Sequence, residues 1–335
     1  MALDAAADVA RLQTGCHQQA SNARSALKFL IFPMVWMQAL LLPLLSLLLP
    51  LIFLTQPLAA QANRIALRQA DGSDLLLDQP ARTIITLSPH LAELAFAAGV
   101  GERLVATVEY SNYPEPAAKL PRVGDAFRLD LERIISLQPD LVIAWQSGNP
   151  AMAIARLEEL GLNTWVIEIR QPEEIASTLE QMGAAGGQRE AGRLAAAQAR
   201  AQLQAIAQAG AGKPEVSYFY QVAERPLFTL NGQHLIAQSL ALCGGDNVFA
   251  DEPVLAPQIS LEAVILRDPA VLFAVIVAGQ PDPLADWLEW PRMQAVKNQR
   301  MYLLPADAIS RATPRMLDAV ATACSLLHAQ DKHIK

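Results

Sequence analysis

Two periodicities divide the chain between Arg82 and His328. Short apolar runs at 83–87, 104–108, 141–144 and 164–167 read as strands, and apolar positions three to four apart predict helices over 91–98 and 151–160. Pro172 opens another helix. The order then repeats, with strand 216–221, helix 234–242, strand 271–277, a short helical segment opened by Trp290 and Pro291, strand 301–304 and a closing helix 314–329. The run 141–144 is continuously apolar rather than alternating, as in a strand covered on both faces, and strands that alternate with helices imply parallel sheets. Between the two sets, 190–209 is one alanine-rich helix, which suits a rigid strut. The predicted fold is therefore α/β. Two Rossmann-like lobes, 63–186 and 213–335, are joined by a connecting helix at 187–212. Two lobes on one helix leave a cleft, a usual place for a small ligand.

One stretch organises each lobe. Asp130 is placed to cap a helix in which Leu131, Ile134 and Ile135 share a face; Pro139 ends it, and Leu141 to Ala144 runs as a buried strand into Trp145. The polar loop 146–150 follows, at the kind of strand end where open α/β sheets bind ligands. The stretch 131–144 returns without a gap at 261–274. Leu131/Leu261, Glu132/Glu262, Ile135/Ile265, Pro139/Pro269 and Ala144/Ala274 are identical, and Ser260 replaces Asp130 as the cap. A repeat at this distance predicts two similar lobes.

The 335 residues leave room for two ordinary domains. Their 52% apolar content is swollen by an uncharged run at 29–54, preceded by Arg24 and Lys28 and followed by Ala60-Gln61-Ala62, a small-x-small cleavage pattern. Residues 1–62 are expected to be an N-terminal extension and a cleaved signal peptide. A retained membrane anchor is the other reading, because the run is long enough to span a bilayer. The net charge of −7, with no long basic run, argues against nucleic acid as a partner. Cleavage leaves two of the three cysteines, Cys243 and Cys324, in an oxidising compartment. A bridge between them, closing a loop of about 80 residues, contributes roughly 4 kcal/mol in the chain-entropy model. Two buried free thiols are the alternative. No enzyme signature stands out: there is no Gly-x-Ser-x-Gly elbow, His-Glu-x-x-His helix or phosphate-binding glycine loop. Ser88 and His90 lie close together, but no acid is evident to orient the imidazole. No catalytic residue and no metal site are expected, although a secreted enzyme using the cleft is the rival from another class.

Several segments resemble the periplasmic cobalamin-binding family, part of the helical-backbone (class III) substrate-binding proteins that serve ABC importers. They are Ile85-Thr86-Leu87-Ser88-Pro89, Ser111-Asn112-Tyr113-Pro114, Leu131-Glu132-Arg133-Ile134, Gln138-Pro139-Asp140-Leu141-Val142-Ile143-Ala144-Trp145, Cys243-Gly244-Gly245-Asp246-Asn247-Val248-Phe249 and Arg311-Ala312-Thr313-Pro314-Arg315. The resemblance runs in order from about Arg82 to His328. It implies two lobes bridged by a long helix with little hinge motion, and capture of a corrinoid in the cleft. It further implies delivery to the permease subunits of an inner-membrane ABC importer, a periplasmic location, a monomer when free, and no cofactor apart from the cargo. By position, Tyr113, Trp145 and Phe228 match aromatics that hold the corrinoid, and flat apolar rings cover a large macrocycle without costly desolvation. Glu132 and Glu262 match two docking glutamates, one per lobe, that pair with permease arginines. The first turn of a helix also favours an acid through its dipole, which is the local alternative. Cys243 and Cys324 match the family's disulfide.

Arg311, within a matching motif, is expected at polar groups of the ligand, and His90, in the turn after the first strand, is a further ligand contact. The chain departs from the family at three aromatic positions, where it carries Ala126 and Phe127, Leu255 and Ala256, and Ala308 and Ile309. Phe127 is expected to compensate for one of these losses. The departures leave haem or a ferric siderophore as the alternative cargo.

Overall fold

The computed structural model describes residues 64–277 and 279–329. The expected signal segment therefore lies outside the described residues. The first element is one the apolar runs did not predict, an antiparallel hairpin of β1 (Ile65–Arg68) and β2 (Asp74–Leu77). Its turn is built by Asp71, whose Oδ1 accepts from the Ser73 backbone N–H at 2.8 Å and the Ser73 hydroxyl at 2.7 Å, with Gly72 at φ +87°.

The N-terminal lobe then runs β3 (Ile84–Thr86), α1 (Pro89–Ala97), β4 (Leu104–Ala106), α2 (Leu131–Ser136), β5 (Leu141–Trp145), α3 (Ala151–Glu159), β6 (Thr164–Ile167) and α4 (Glu174–Ala185). The long helix α5 (Arg189–Gly210) follows. The second lobe contains β7 (Val216–Gln221), a small hairpin of β8 (Ala223–Glu224) and β9 (Leu227–Phe228), α6 (Leu235–Ala241), β10 (Gly245–Asn247), α7 (Leu261–Arg267), β11 (Val271–Ile276), β12 (Met301–Pro305) and α8 (Pro314–Leu327). Each lobe holds a four-stranded parallel sheet, in the orders β4-β3-β5-β6 and β10-β7-β11-β12. The two orders superpose strand for strand, so the repeat in the residues is also a repeat of topology.

The repeated unit folds as its residues dictate. The Asp130 carboxylate accepts from the Arg133 N–H at 3.0 Å, and the Ser260 hydroxyl from the Ala263 N–H at 3.2 Å. Both helices end on a left-handed residue, Gln138 (φ 46°) and Asp268 (φ 41°), directly before a proline that disfavours right-handed helix at that position. The helical segment expected from Trp290 and Pro291 is placed differently. Short turns at Ala285–Glu289 and Gln294–Lys297 flank that pair, and the second is capped by Asp268, whose Oδ1 accepts from the Gln294 N–H at 2.8 Å. A distant cap, not the local proline, sets where that turn begins.

Helix α5 is packed rather than free-standing. Gly192, Ala196, Ala199, Leu203 and Ile206 bury one face at helical spacing. A Cβ on Gly192 would come within 2.7 Å of the Leu179 carbonyl, so α4 and α5 cross at backbone contact. Through this helix one apolar cluster reaches from Ile84 and Leu141 of the first sheet to Tyr218 and Phe273 of the second. From Ile65 onward the chain is accordingly one compact unit. The disulfide Cys243–Cys324, with Cα atoms 5.9 Å apart, ties the end of α6 to α8. Among the described residues no helix is long and apolar enough to cross a membrane.

Candidate functional site

In the first sheet the chain leaves β3 toward β4 on one side and returns as β5 on the other. The crevice outside the carboxyl ends of such diverging strands is where open α/β sheets place ligands. The second sheet repeats this reversal at β7 and β11. A cleft of about 980 Å³ opens over both places, lined from one lobe by His90, Trp145, Ser147, Glu168, Arg170 and Gln171, and from the other by Tyr220, His234, Gln238, Val275 and Ile309. This volume lies at the upper end of ordinary small-molecule sites.

Trp145, the last residue of β5, is fixed from four sides. Its indole N–H donates to Glu168 Oε1 at 3.3 Å, and its ring meets the His90 imidazole edge to face, with centroids 5.1 Å apart. The loop turns directly beneath the indole at Gly148, where a Cβ would lie 1.8 Å from the ring, so only glycine permits this approach. The buried Asn149 side chain accepts from the Trp145 N–H at 2.7 Å and donates to the carbonyls of Leu87 (2.8 Å) and Ala126 (2.9 Å). Glu168 also accepts from the Ser147 N–H at 2.9 Å and the Ser147 hydroxyl at 3.2 Å. Strand end, loop and carboxylate thus form one preorganised wall.

His90 Nδ1 lies 2.7 Å from the Ser88 hydroxyl oxygen. Burial, reinforced by the Arg311 charge, pushes its pKa down to about 3, so the imidazole is neutral near pH 7. On the opposite wall His234 caps α6 through Nδ1, which accepts from the Ile236 N–H at 3.2 Å. That bond requires a lone pair on Nδ1 and places the proton on Nε2, and burial lowers this pKa as well. The Tyr220 hydroxyl has no hydrogen-bond partner among the described residues, and burial raises its pKa so that the phenol stays protonated. Leu255, Ala256 and Ile309 line the same cleft. Two of the three aromatic departures therefore fall on its wall.

Of the expected ligand contacts, Trp145 and His90 line the cleft, whereas Tyr113, Phe127 and Phe228 do not. Tyr113 lies beneath the Arg315 guanidinium, 4.0 Å from its ring centroid. Phe127 is exposed, in a loop whose backbone Asp125 caps at 2.8 Å; the neighbouring Ala126 carbonyl accepts from Asn149, which places this loop beside the Trp145 wall. Phe228 is half-buried in β9. Arg311 needs a correction. Its guanidinium is taken up by Glu93 Oε1 (2.6 Å), Asn112 Oδ1 (2.8 Å), the Tyr110 carbonyl (3.0 Å) and Asp307 (3.3 Å), and its side chain is only 11% exposed. Arg315 joins it on Glu93, at 2.6 and 3.1 Å. This cluster joins α1 of one lobe to the start of α8 and the segment before it in the other, and it commits both guanidinium groups to partners within the protein.

Glu132 and Glu262 are exposed in the first turns of α2 and α7, and neither forms an ion pair among the described residues. The Glu262 carboxyl is held below its ordinary range by a hydrogen bond from its own backbone N–H and by the Ser260 hydroxyl.

Comparison with known proteins fits this arrangement. The model of the periplasmic binding protein family matches residues 84–308. The chain belongs to that family. The vitamin B12-binding protein of Vibrio campbellii is 41% identical over 246 residues, which is 73% of this chain and 89% of that protein. Its counterpart in Vibrio cholerae serotype O1 is 39% identical over 257 residues, 76% and 91% of the two chains. Among solved structures, the periplasmic vitamin B12 binding protein of Vibrio cholerae aligns with a TM-score of 0.68 at 39% identity, covering 74% of this chain and 97% of that one. A periplasmic heme-binding protein from Roseiflexus sp. RS-1 aligns with a TM-score of 0.66 at 22% identity, covering 74% and 98%, and shares the fold.

Glu168, Tyr220 and His234 belong to the wall and were not singled out from the sequence. A signal existed for two of them. Glu168 directly follows β6 and Tyr220 is the last residue but one of β7, positions near the kind of strand end that picked out Trp145. His234 has no such mark, since a histidine cap reads as an ordinary helix start.

Proposed function

We propose that this protein captures cobalamin in the inter-lobe cleft, in the periplasm, and delivers it unchanged to the permease of an inner-membrane ABC importer. The observation that carries this reading is the fixed aromatic wall at Trp145, set in a cleft of about 980 Å³ where the switch points of two sheets face each other. A planar ring held by its N–H on one side and by glycine beneath presents apolar area to a macrocycle at little entropic cost. The identity to vitamin B12-binding relatives, 39–41% over about nine-tenths of their length, supports the same cargo. Phe127, exposed in the loop that Asn149 ties to the Trp145 wall, is read as a further apolar contact for the macrocycle. The protein acts as a carrier, and no turnover of the ligand is expected. Titration with cyanocobalamin tests this directly.

Removing the wall tests its residue-level content. Trp145→Ala is expected to weaken cobalamin binding by about 1–3 kcal/mol, or about 5- to 150-fold in Kd, measured by fluorescence titration. An unchanged Kd removes Trp145 from the site.

The exposed glutamates of the two repeated helices are read as docking contacts, one on each lobe, for cationic residues of the permease. Reversing both, Glu132→Lys with Glu262→Lys, is expected to leave cobalamin affinity within about twofold, because neither residue lines the cleft. The same double variant is expected to abolish uptake in a reconstituted transporter. Normal uptake would assign both acids to their helix termini alone.

A further inference from the structure

The ionisable groups around the cleft say which periphery a ligand must have. None of Arg128, Arg225, Arg311 and Arg315 lines the cavity. Arg311 and Arg315 are consumed by Glu93, Arg225 pairs with Asp286 at 2.7 Å, and Arg128 lies exposed outside the wall. Among the described residues the cleft retains one cation, Arg170, whose side chain is exposed and bonds Gln146 at 3.4 Å. Against it stands Glu168, half-buried and immobilised by three hydrogen bonds from Trp145 and Ser147. The remaining polar lining is neutral near pH 7: the imidazoles of His90 and His234, the Tyr220 phenol, the amides of Gln171, Gln233 and Gln238 and the hydroxyls of Ser147 and Ser310. A fixed, partly desolvated carboxylate beside the main aromatic surface repels an anion there more strongly than the solvated guanidinium attracts it. Amides, by contrast, donate to and accept from other amides without leaving a charge unpaired.

We infer that the cleft selects its cargo by the charge of the macrocycle's edge, with Glu168 as the specificity-determining residue. It admits corrinoids whose peripheral acetamides and propionamides are intact and disfavours chelates whose edge carries carboxylates, such as haem with its two propionates. This rests on the cobalamin reading and extends it, since neither the family nor the relatives' names specify how rival chelates are turned away. Glu168 acts in two ways: it positions Trp145, and it sets the local potential. The ligand series below separates the two, because positioning affects all ligands alike whereas potential affects only the charged ones.

The test titrates the purified protein and its Glu168→Gln variant with cyanocobalamin, with the mono- and dicarboxylic acids made by hydrolysing its peripheral amides, and with haemin, at low and high salt. The wild-type protein is expected to lose on the order of tenfold in affinity per carboxylate, a penalty that shrinks as salt screens the repulsion. In Glu168→Gln the penalty is expected to fall several-fold while any loss common to all ligands reports the positioning role. The wild-type series does not depend on the variant folding. Tight cobalamin binding with equal affinity for the carboxylates overturns this inference alone, as does a penalty that Glu168→Gln leaves unchanged. Tight haemin binding with none of cobalamin overturns both this inference and the cargo reading.

Discussion

Glu93→Ala is expected to cost about 3–5 kcal/mol of folding stability, the range for removing one partner of a buried ion pair. Glu93 sits in α1 with its side chain 2% exposed, and its two oxygens receive Arg311 Nη1 at 2.6 Å, Arg315 Nη2 at 2.6 Å, Arg315 Nε at 3.1 Å and the Thr313 hydroxyl at 3.3 Å. Deleting the carboxylate leaves two guanidinium groups side by side, one of them 11% exposed, with only Asp307 at 3.3 Å to balance it. The penalty is mostly that of uncompensated charge, so Glu93→Gln, which keeps shape and one acceptor, is expected to lose nearly as much. For a unit of this size the apparent Tm falls by roughly 6–20 °C. Thermal unfolding followed by circular dichroism measures it. A loss below about 1 kcal/mol would mean that the arginines simply turn to solvent, and that the lobes are held chiefly by the packing around α5.

Breaking the disulfide is the second large effect. Cys243 and Cys324 are separated by 81 residues, and closing a loop of that length contributes about 4–5 kcal/mol in the chain-entropy model. The bridge sits where several parts of the second lobe meet. A Cβ on Gly210, at the end of α5, would approach the Cys243 Cα to 2.4 Å, and His328 Nε2 lies 2.6 Å from the Cys243 carbonyl oxygen. Losing the covalent tie therefore loosens the end of the connecting helix as well as α6 and α8. A Cys243→Ser, Cys324→Ser double variant, and the parent protein under reductant, are expected to unfold at lower guanidinium with a similar m-value. An unchanged midpoint would show that packing in this corner already holds the chain.

The parts of the fold legible in the sequence were those whose determinants are local. Strands β5 and β11 are continuous apolar runs, which read directly as strands covered on both faces, and the caps Asp130 and Ser260 act within three residues. The β1–β2 hairpin was missed for the opposite reason. Its strands are four residues long and half exposed, with only Ile65, Leu67 and Leu77 buried, so the Asp71-Gly72 turn was its main mark.

In the site, Trp145 was legible because a strand end at a topological switch is a place a sequence can specify. Arg311 was misread because its partner is 218 residues away, and no local pattern reports that pairing. A trace of it was present: Glu93 stands among Leu91, Ala92, Leu94 and Ala95 in the buried middle of a helix, and a carboxylate so placed requires a cation. Glu168 was marked only by its place after β6; its contacts with Trp145 and Ser147 form when the end of β5 and the loop after it fold back onto it.

The central claim, that the cleft takes cobalamin, is tested most directly by calorimetric titration of the purified protein with cyanocobalamin, with haemin run in parallel. The account predicts tight one-to-one binding of cobalamin and none of comparable strength for haemin. Silence toward cobalamin with a clear response to haemin would contradict it.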